Sequence, residues 1–480
     1  MGNNVPMSLS RRTFLGTSAA TLAFAAFRRA ADACAPLHEL AQSTPAEMAP
    51  RAILRGPLAL PPGFTQRVFS STGERMDDGL VVPGKHDGMC AFDGGNGRVL
   101  LVRNHEIDPA MGVAIGAFGA KLELLGRIDA ERLYDRGAAG IPCLGGTTTV
   151  LYDPSSGKVE RQFLSLGGTA VNCAGGRTPW GSWITCEECA YTSNAKVFAR
   201  SHGYCFEVPA SAEGGLVEAK PLTALGRFLH EAVAFDASGT ILYLTEDLGD
   251  GVFYRFLPKV RGKLAEGGRL QAMAVIDRPS FDSRNWPDLD AKGLPLGPPV
   301  IRVRQGDRFQ VRWFDVSDVE SPLHDLRLRA FKAGAMRMAR CEGIWHTGDA
   351  AYIAATTGGP ASLGQLWRYT PSPHEGTEAE ATAPATMELF VESQSASVLK
   401  NCDNLCASPW GDLFVCEDGT GADGIVRIRP NGEIHRFAQN ILNDSELAGV
   451  CFSPDGNTLF ANLQDPGMTV AITGPWERGA

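Results

Sequence analysis

The chain has 480 residues, 44% hydrophobic and 21% charged, with 55 glycines and 30 prolines. That apolar content excludes a disordered chain, and the length excludes a disulfide-stapled mini-domain. A formal charge of −9 argues against a nucleic-acid binder, whose footprint is basic; no obligate nucleic-acid partner is expected.

The chain opens on an address. Ser10-Arg11-Arg12-Thr13-Phe14-Leu15 is a twin-arginine pattern, followed by an apolar stretch from Phe14 to Phe27 and closed by Arg28-Arg29. At about 1.5 Å per residue this stretch is too short for the roughly 30 Å of a bilayer core. It reads as an export signal over 1–33, with Ala31-Asp32-Ala33 as a cleavage site and 34–58 as a linker. Cys34 hints at lipidation, although Asp32 departs from the usual small-apolar context. No other stretch reads as a stable membrane span. The expected location is periplasmic or secreted, with the twin-arginine export machinery as a partner and a monomer as the expected state. The 12 cysteines show no regular framework, and Cys186-Glu187-Glu188-Cys189 reads as a local disulfide or two free thiols.

From 59 to 475 one unit recurs, which predicts a single domain. Cys173-Ala-Gly-Gly-Arg-Thr-Pro-Trp-Gly181 runs into Ser-Trp-Ile-Thr-Cys-Glu187-Glu188. Glu231 to Gly239 runs into Thr-Ile-Leu-Tyr-Leu-Thr-Glu246-Asp247, and Asp403 to Gly411 into Asp-Leu-Phe-Val-Cys-Glu417-Asp418, with one shared spacing from lead residue to turn glycine. The units led by Asp87 and Glu342 fit more loosely, and a sixth, Glu446 to Gly456, is displaced by two residues. Each reads as strand, Pro/Asp-x-Gly turn and second strand. Together they predict an all-β fold, a six-bladed β-propeller. A bare blade takes about 40–45 residues, so the longer intervals carry insertions at about 108–146 and 259–337. These are expected to cap one mouth of the channel with loops and short helices, including a helical run from Leu326 to Met338.

Equivalent positions of successive blades converge on a central channel. Asp87, Cys173, Glu231, Glu342, Asp403 and Glu446 would then meet, and buried carboxylates cost several kcal/mol each unless paired. Bound cations resolve that repulsion. A second set closes each following strand: Asn104 and Glu106, Glu187 and Glu188, Glu246 and Asp247, Glu417 and Asp418, and Asp465. Oxygen-rich clusters select Ca²⁺, whereas a thiolate among carboxylates argues for a transition metal beside it. Alone, Cys173 would read as a small buried hydrophobe; its repeat position argues for a ligand. Arg340, two residues before Glu342, projects to the same side of a strand and suits a phosphate or an ion pair with an acid.

At these residues the chain resembles the PhoX-type alkaline phosphatases. The matching strings are Asn172-Cys173-Ala-Gly-Gly-x-Thr-Pro-Trp-Gly-Ser-Trp-x-Thr-Cys-Glu187-Glu188, His230-Glu231-Ala-x-Ala-x-Asp236, Asp403-Asn404-Leu with Cys416-Glu417-Asp418-Gly, and Leu447-Ala-Gly449-Val-x-Phe-Ser-Pro-Asp-Gly through Asn462-Leu-Gln464-Asp-Pro-Gly. The resemblance implies an exported propeller phosphatase that hydrolyses phosphomonoesters, with an iron pair (Fe³⁺) and several Ca²⁺ in the channel. By that match Cys173, Glu231 and Glu342 hold iron, with Glu231 and Glu342 also catalytic. Arg340 clamps the phosphate, and Asn104, Glu106, Glu188, Asp247, Asp403 and Glu446 hold calcium. The partner is a small phosphoester. Two other readings fit a propeller: a calcium-dependent lactonase, which has no use for Cys173, and a non-catalytic calcium-stiffened binding module.

Overall fold

Antiparallel hairpins dominate the computed structural model, which describes residues 56–194, 196–290 and 293–476. The expected export signal, Cys34 and most of the linker lie outside these residues. Among the described residues no helix is long and apolar enough to cross a membrane.

The protein is mainly β, and its sheets have a propeller-like arrangement. His86–Asp93, Val99–His105, Gly145–Asp153 and Lys158–Thr169 pair in chain order as a four-stranded sheet. Asn172–Arg177, Ser182–Glu187 and Cys205–Pro209 form a three-stranded one. Cys402–Ala407, Leu413–Glu417, Gly424–Ile428 and Ile434–Asn440 form another, with Leu58–Ala59 on its edge. Leu447–Phe452, Thr458–Leu463 and Met468–Thr473 are completed by Thr65–Phe69, so an early strand and the last one close the fold. A nine-stranded sheet holds two further runs, one led by His230–Phe235 and one by Cys341–Thr347. Arg308–Asp315 joins their outer edges by pairing with Gly268–Val275 and with Ala385–Glu392. The leading strands pack against one another in closed order, from His86–Asp93 through Asn172–Arg177, His230–Phe235, Cys341–Thr347, Cys402–Ala407 and Leu447–Phe452 back to His86–Asp93.

Each leading hairpin slips register near its start. The slips fall between His86 and Met89, Asn172 and Gly175, His230 and Val233, Cys341 and Ile344, Cys402 and Leu405, and Ala448 and Cys451. A bulge takes a residue out of the ladder and re-aims its side chain. Asp87, Cys173, Glu231, Glu342 and Asp403 all sit inside these slips, so the repeat seen in the sequence is a repeat of bulges. The backbone supplies the aim, and the sequence supplies the chemistry placed on it.

The expected insertions are built differently from each other. Residues 108–146 lie between two strands of the first sheet and contain the 3₁₀ turns Pro109–Met111, Val113–Ile115, Leu125–Arg127 and Ala130–Arg132. Within 259–337, Gly268–Val275 and Arg308–Asp315 are sheet strands, and Phe281, Val303, Phe309 and Met336 join the main apolar core. Much of that segment is therefore part of the sheet body. The helix there spans Leu326–Lys332, shorter than the expected run to Met338. Gly334, at φ 115°, turns the chain out of the helix, and Arg337–Met338 pairs as a strand with Gly251–Val252.

Candidate metal centre

Three positions of each repeat unit gather at the start of its leading hairpin. The first is the bulge residue already described. The second lies two residues earlier: Lys85, Val171, Leu229, Arg340 and Asn401. Its carbonyl accepts the N–H of the residue just beyond the second strand, giving Glu106 to Lys85, Glu188 to Val171, Asp247 to Leu229, Thr356 to Arg340 and Asp418 to Asn401. Four of these residues have left-handed backbone, with φ of 51° at Lys85 and Val171, 53° at Arg340 and 50° at Asn401. Non-glycine residues keep such strain only where the surroundings over-determine it. In the last unit the same bond runs from Gln464 N–H to the Glu446 carbonyl at 3.4 Å. Glu446 thus occupies Arg340's repeat position, and Ala448 stands where the other units have their lead residue. The expectation that Glu446 is a displaced lead residue is corrected accordingly.

The third position is the residue just beyond the second strand: Glu106, Glu188, Asp247, Thr356, Asp418 and Gln464. Alternation along a strand separates these from the residue before them. Glu187 turns into the sheet, where its carboxylate accepts the N–H groups of Ala170, Gly203 and Tyr204 and a 2.7 Å contact from His202 Nδ1. Glu417 is held by Arg436 through bonds of 2.7 and 2.9 Å. Glu246 accepts from the Tyr254 hydroxyl at 3.0 Å, and burial pushes its carboxyl up to about 7 against Arg327 and Tyr254. Of each acid pair in the sequence, the first member anchors the sheet; of the second members, Glu188 joins a ligand group and Asp247 meets Arg340.

Three groups of potential ligand atoms result, each with its atoms within 4.8 Å of one another: Cys173, Glu188 and Glu231; Glu231, Glu342 and Asp403; and Asp87, Glu106 and Glu446. Glu231 belongs to two of them. Cys173, Glu231, Glu342, Asp403 and Asp87 are fully buried. Carboxylates this close and this dry repel unless cations lie among them. The Cys173 group combines sulfur with oxygen, a donor set for a transition metal, and shares Glu231 with the all-carboxylate Glu342 and Asp403 group; the Asp87 group is also all oxygen and suits calcium. The Gln464 amide nitrogen stands among the third group, 3.0 Å from Asp87 Oδ2, 2.6 Å from Glu106 Oε2 and 2.5 Å from Glu446 Oε1. Its two hydrogens are shared among three carboxylates, whereas Ca²⁺ takes six to eight oxygens. The residues present fit the metals the sequence led us to expect.

Arg340 lies at the edge of this assembly. Its Nε and Nη2 bond Asp247 at 2.9 and 2.8 Å, and Nη2 also bonds Glu342 Oε1 at 2.6 Å. Burial works against its charge, but Asp247 and Glu342 hold the guanidinium well above its ordinary range, so it stays cationic. Nη1 makes no hydrogen bond among the described residues. Asp247, expected to hold calcium, is engaged here by Arg340. Asn104, also expected to hold calcium, is spent on the fold: Nδ2 donates to the Cys173 and Ala174 carbonyls at 3.0 and 2.7 Å, and Oδ1 accepts from Trp183 Nε1 at 2.8 Å. It fixes the backbone beneath Cys173. Sequence reasoning missed Gln464 and Lys85. Lys85 pairs with Asp465 and Gln464, and its place at Arg340's repeat position was the signal available.

Close packing of the leading strands depends on glycine at two bulges. A Cβ on Gly343 would stand 2.6 Å from the Asp403 carbonyl oxygen, and one on Gly88 would stand 2.5 Å from Ala174 Cα. Gly343→Ala must therefore push the Glu342 and Asp403 strands apart. The expected result is a stability loss of about 1–3 kcal/mol in urea unfolding, with a larger fall in bound metal than a remote substitution of equal cost produces.

Comparison with known proteins follows the same outline. No curated protein matches the sequence. Among solved structures, the PhoX of Pseudomonas fluorescens in complex with vanadate, a transition state analogue, is similar at a TM-score of 0.62 and 19% identity, covering 88% of this chain and 97% of that one. A gluconolactonase of Xanthomonas campestris is similar at a TM-score of 0.41 and 11% identity, covering 88% of this chain and 98% of that one. The family model "Alkaline phosphatase PhoX" matches residues 44–467. The chain therefore belongs to the PhoX alkaline phosphatase family, whose members are phosphomonoesterases.

Proposed function

We propose that this chain is an exported six-bladed propeller phosphatase that hydrolyses small phosphomonoesters at a channel-centre metal cluster. An iron pair is assigned to Cys173, Glu231 and Glu342, with Glu188 and Asp403 completing the two groups, and calcium to Asp87, Glu106 and Glu446. The observation that carries the reading is that Glu231 is common to both groups containing the expected iron ligands. When bound, these cations supply the positive charge that neutralises phosphoryl oxygens as negative charge builds in the transition state.

The chain's own residues prepare the rest. Asp247 takes the Nε and Nη2 edge of Arg340 and fixes the plane of the guanidinium. The Nη1 edge then meets a phosphoryl oxygen without losing that support. Asn104 and Thr245 hold the backbone of the ligand strands: Thr245 Oγ1 donates to the Glu342 carbonyl at 2.6 Å. The acidic channel admits a dianion only with its metals in place, so recognition and catalysis share one requirement.

Purified protein should release phosphate from p-nitrophenyl phosphate, lose that activity on chelation and regain it with iron and calcium together. Hydrolysis of a lactone with calcium alone, without phosphate release, would instead favour the lactonase reading.

A further inference from the structure

A fourth cluster lies outside the channel groups. Asp135, Cys143 and His202 bring ligand atoms within 4.8 Å of one another and are all buried. His202 Nε2 stands 3.1 Å from Asp135 Oδ2 and 3.7 Å from Cys143 Sγ. On the other side of the ring, Nδ1 meets Glu187 Oε1 at 2.7 Å. We propose that Asp135, Cys143 and His202 form a structural zinc site that clamps the 108–146 insertion to the neighbouring sheet.

The two separations from Nε2 suit a tetrahedral ion. Bond lengths of about 2.0–2.1 Å to nitrogen, 2.0–2.2 Å to oxygen and 2.3 Å to sulfur put a nitrogen and an oxygen ligand about 3.3 Å apart and a nitrogen and a sulfur ligand about 3.6 Å apart. The observed separations are within about 0.2 Å of both. A carboxylate on the far nitrogen is the usual support of a metal-bound imidazole, because it fixes the tautomer and aims the lone pair. Glu187 supplies it, and Glu187 is itself locked by three backbone N–H groups. Cys189 packs in the same buried cluster as Cys143 but lies outside this set of atoms, so three side chains are the ligands the structure brings together. One thiolate, one carboxylate and a neutral imidazole select zinc over calcium.

The arrangement explains residues that phosphate chemistry leaves unused. Asp135 and Cys143 come from the insertion; His202 precedes the strand Cys205–Pro209; and Glu187 stands one residue before Glu188 of the channel. An ion here would hold the loop and the strand that carries a channel ligand in fixed relation. The proposal is independent of which metals occupy the channel.

The test uses the protein carrying Cys173→Ser, which removes the channel thiol, and a second protein carrying Cys143→Ser in addition. After cobalt substitution, the Cys173→Ser protein should keep a thiolate-to-cobalt charge-transfer band and, with zinc, about one tightly held equivalent. A protein with both cysteines replaced should lose the band and that equivalent. If either variant fails to fold, anomalous scattering at the zinc edge of the wild-type protein decides, with a peak expected against Cys143 Sγ. A Cys173→Ser protein with no band and no zinc, or a wild-type crystal grown with zinc that has no such peak, overturns the proposal in favour of a protonated His202 bridging Asp135 and Glu187.

Discussion

Glu231→Gln should abolish phosphomonoesterase turnover and strip iron from the protein while leaving it folded. Glu231 is the residue shared by two ligand groups, so one neutralised carboxylate weakens both. The substitution keeps shape and removes one negative charge from a buried set that also includes Glu342 and Asp403. Without metal, easing that repulsion stabilises the empty fold; with metal, it removes a ligand. Unfolding midpoints should therefore rise slightly in chelator and fall when iron is supplied, relative to wild type. Metal analysis with p-nitrophenyl phosphate kinetics checks both. Full activity in a metal-replete Glu231→Gln protein would contradict the assignment.

Arg340→Ala should lower kcat by about 10²- to 10³-fold, the scale seen when one positioned donor to a developing anion is removed. Its bound iron should change little, because the guanidinium touches Glu342 without being a ligand. Arg340→Lys should recover only part of the loss: an ammonium restores charge but cannot hold Asp247 through two parallel bonds and a phosphoryl oxygen at once. A structural role alone would affect Arg340→Ala and Arg340→Lys through stability and leave kcat per folded molecule unchanged. Asp247→Asn provides the complementary measurement, since it keeps the cation and loosens its support. Its effect should fall between those of the two arginine variants.

The lead residues were legible because one spacing to a turn glycine recurs, and the structure shows that spacing to be a bulge repeated in every leading hairpin. Cys173, Glu231 and Asp403 were found this way, and Glu342 by a looser fit to the same unit. Glu446 was found for the wrong position: aligning the last unit on an acid, not on its turn glycine, placed it two residues out. Asn104 was grouped with the strand-end acids, and nothing in the sequence signals that its two ends close bonds to Ala174 and Trp183. Gln464 carries no charge and so escaped a search for acids, although its repeat position matches Glu106 and Glu188. His202, Asp135 and Cys143 lie outside the repeat altogether, and only folding of the insertion brings them together. The Arg308–Asp315 strand was hidden for a related reason: it joins two runs of one sheet that are distant in sequence.

The central claim is that Cys173, Glu231 and Glu342, on three different hairpins, hold iron at one place. Crystals of the purified protein, measured on both sides of the iron absorption edge, test it most directly. The account predicts anomalous peaks within bonding distance of Cys173 Sγ and of the Glu231 and Glu342 carboxylates, with the Asp87, Glu106 and Glu446 group showing no iron signal. Iron bound elsewhere, or a fully active crystal with calcium alone at these residues, would contradict it.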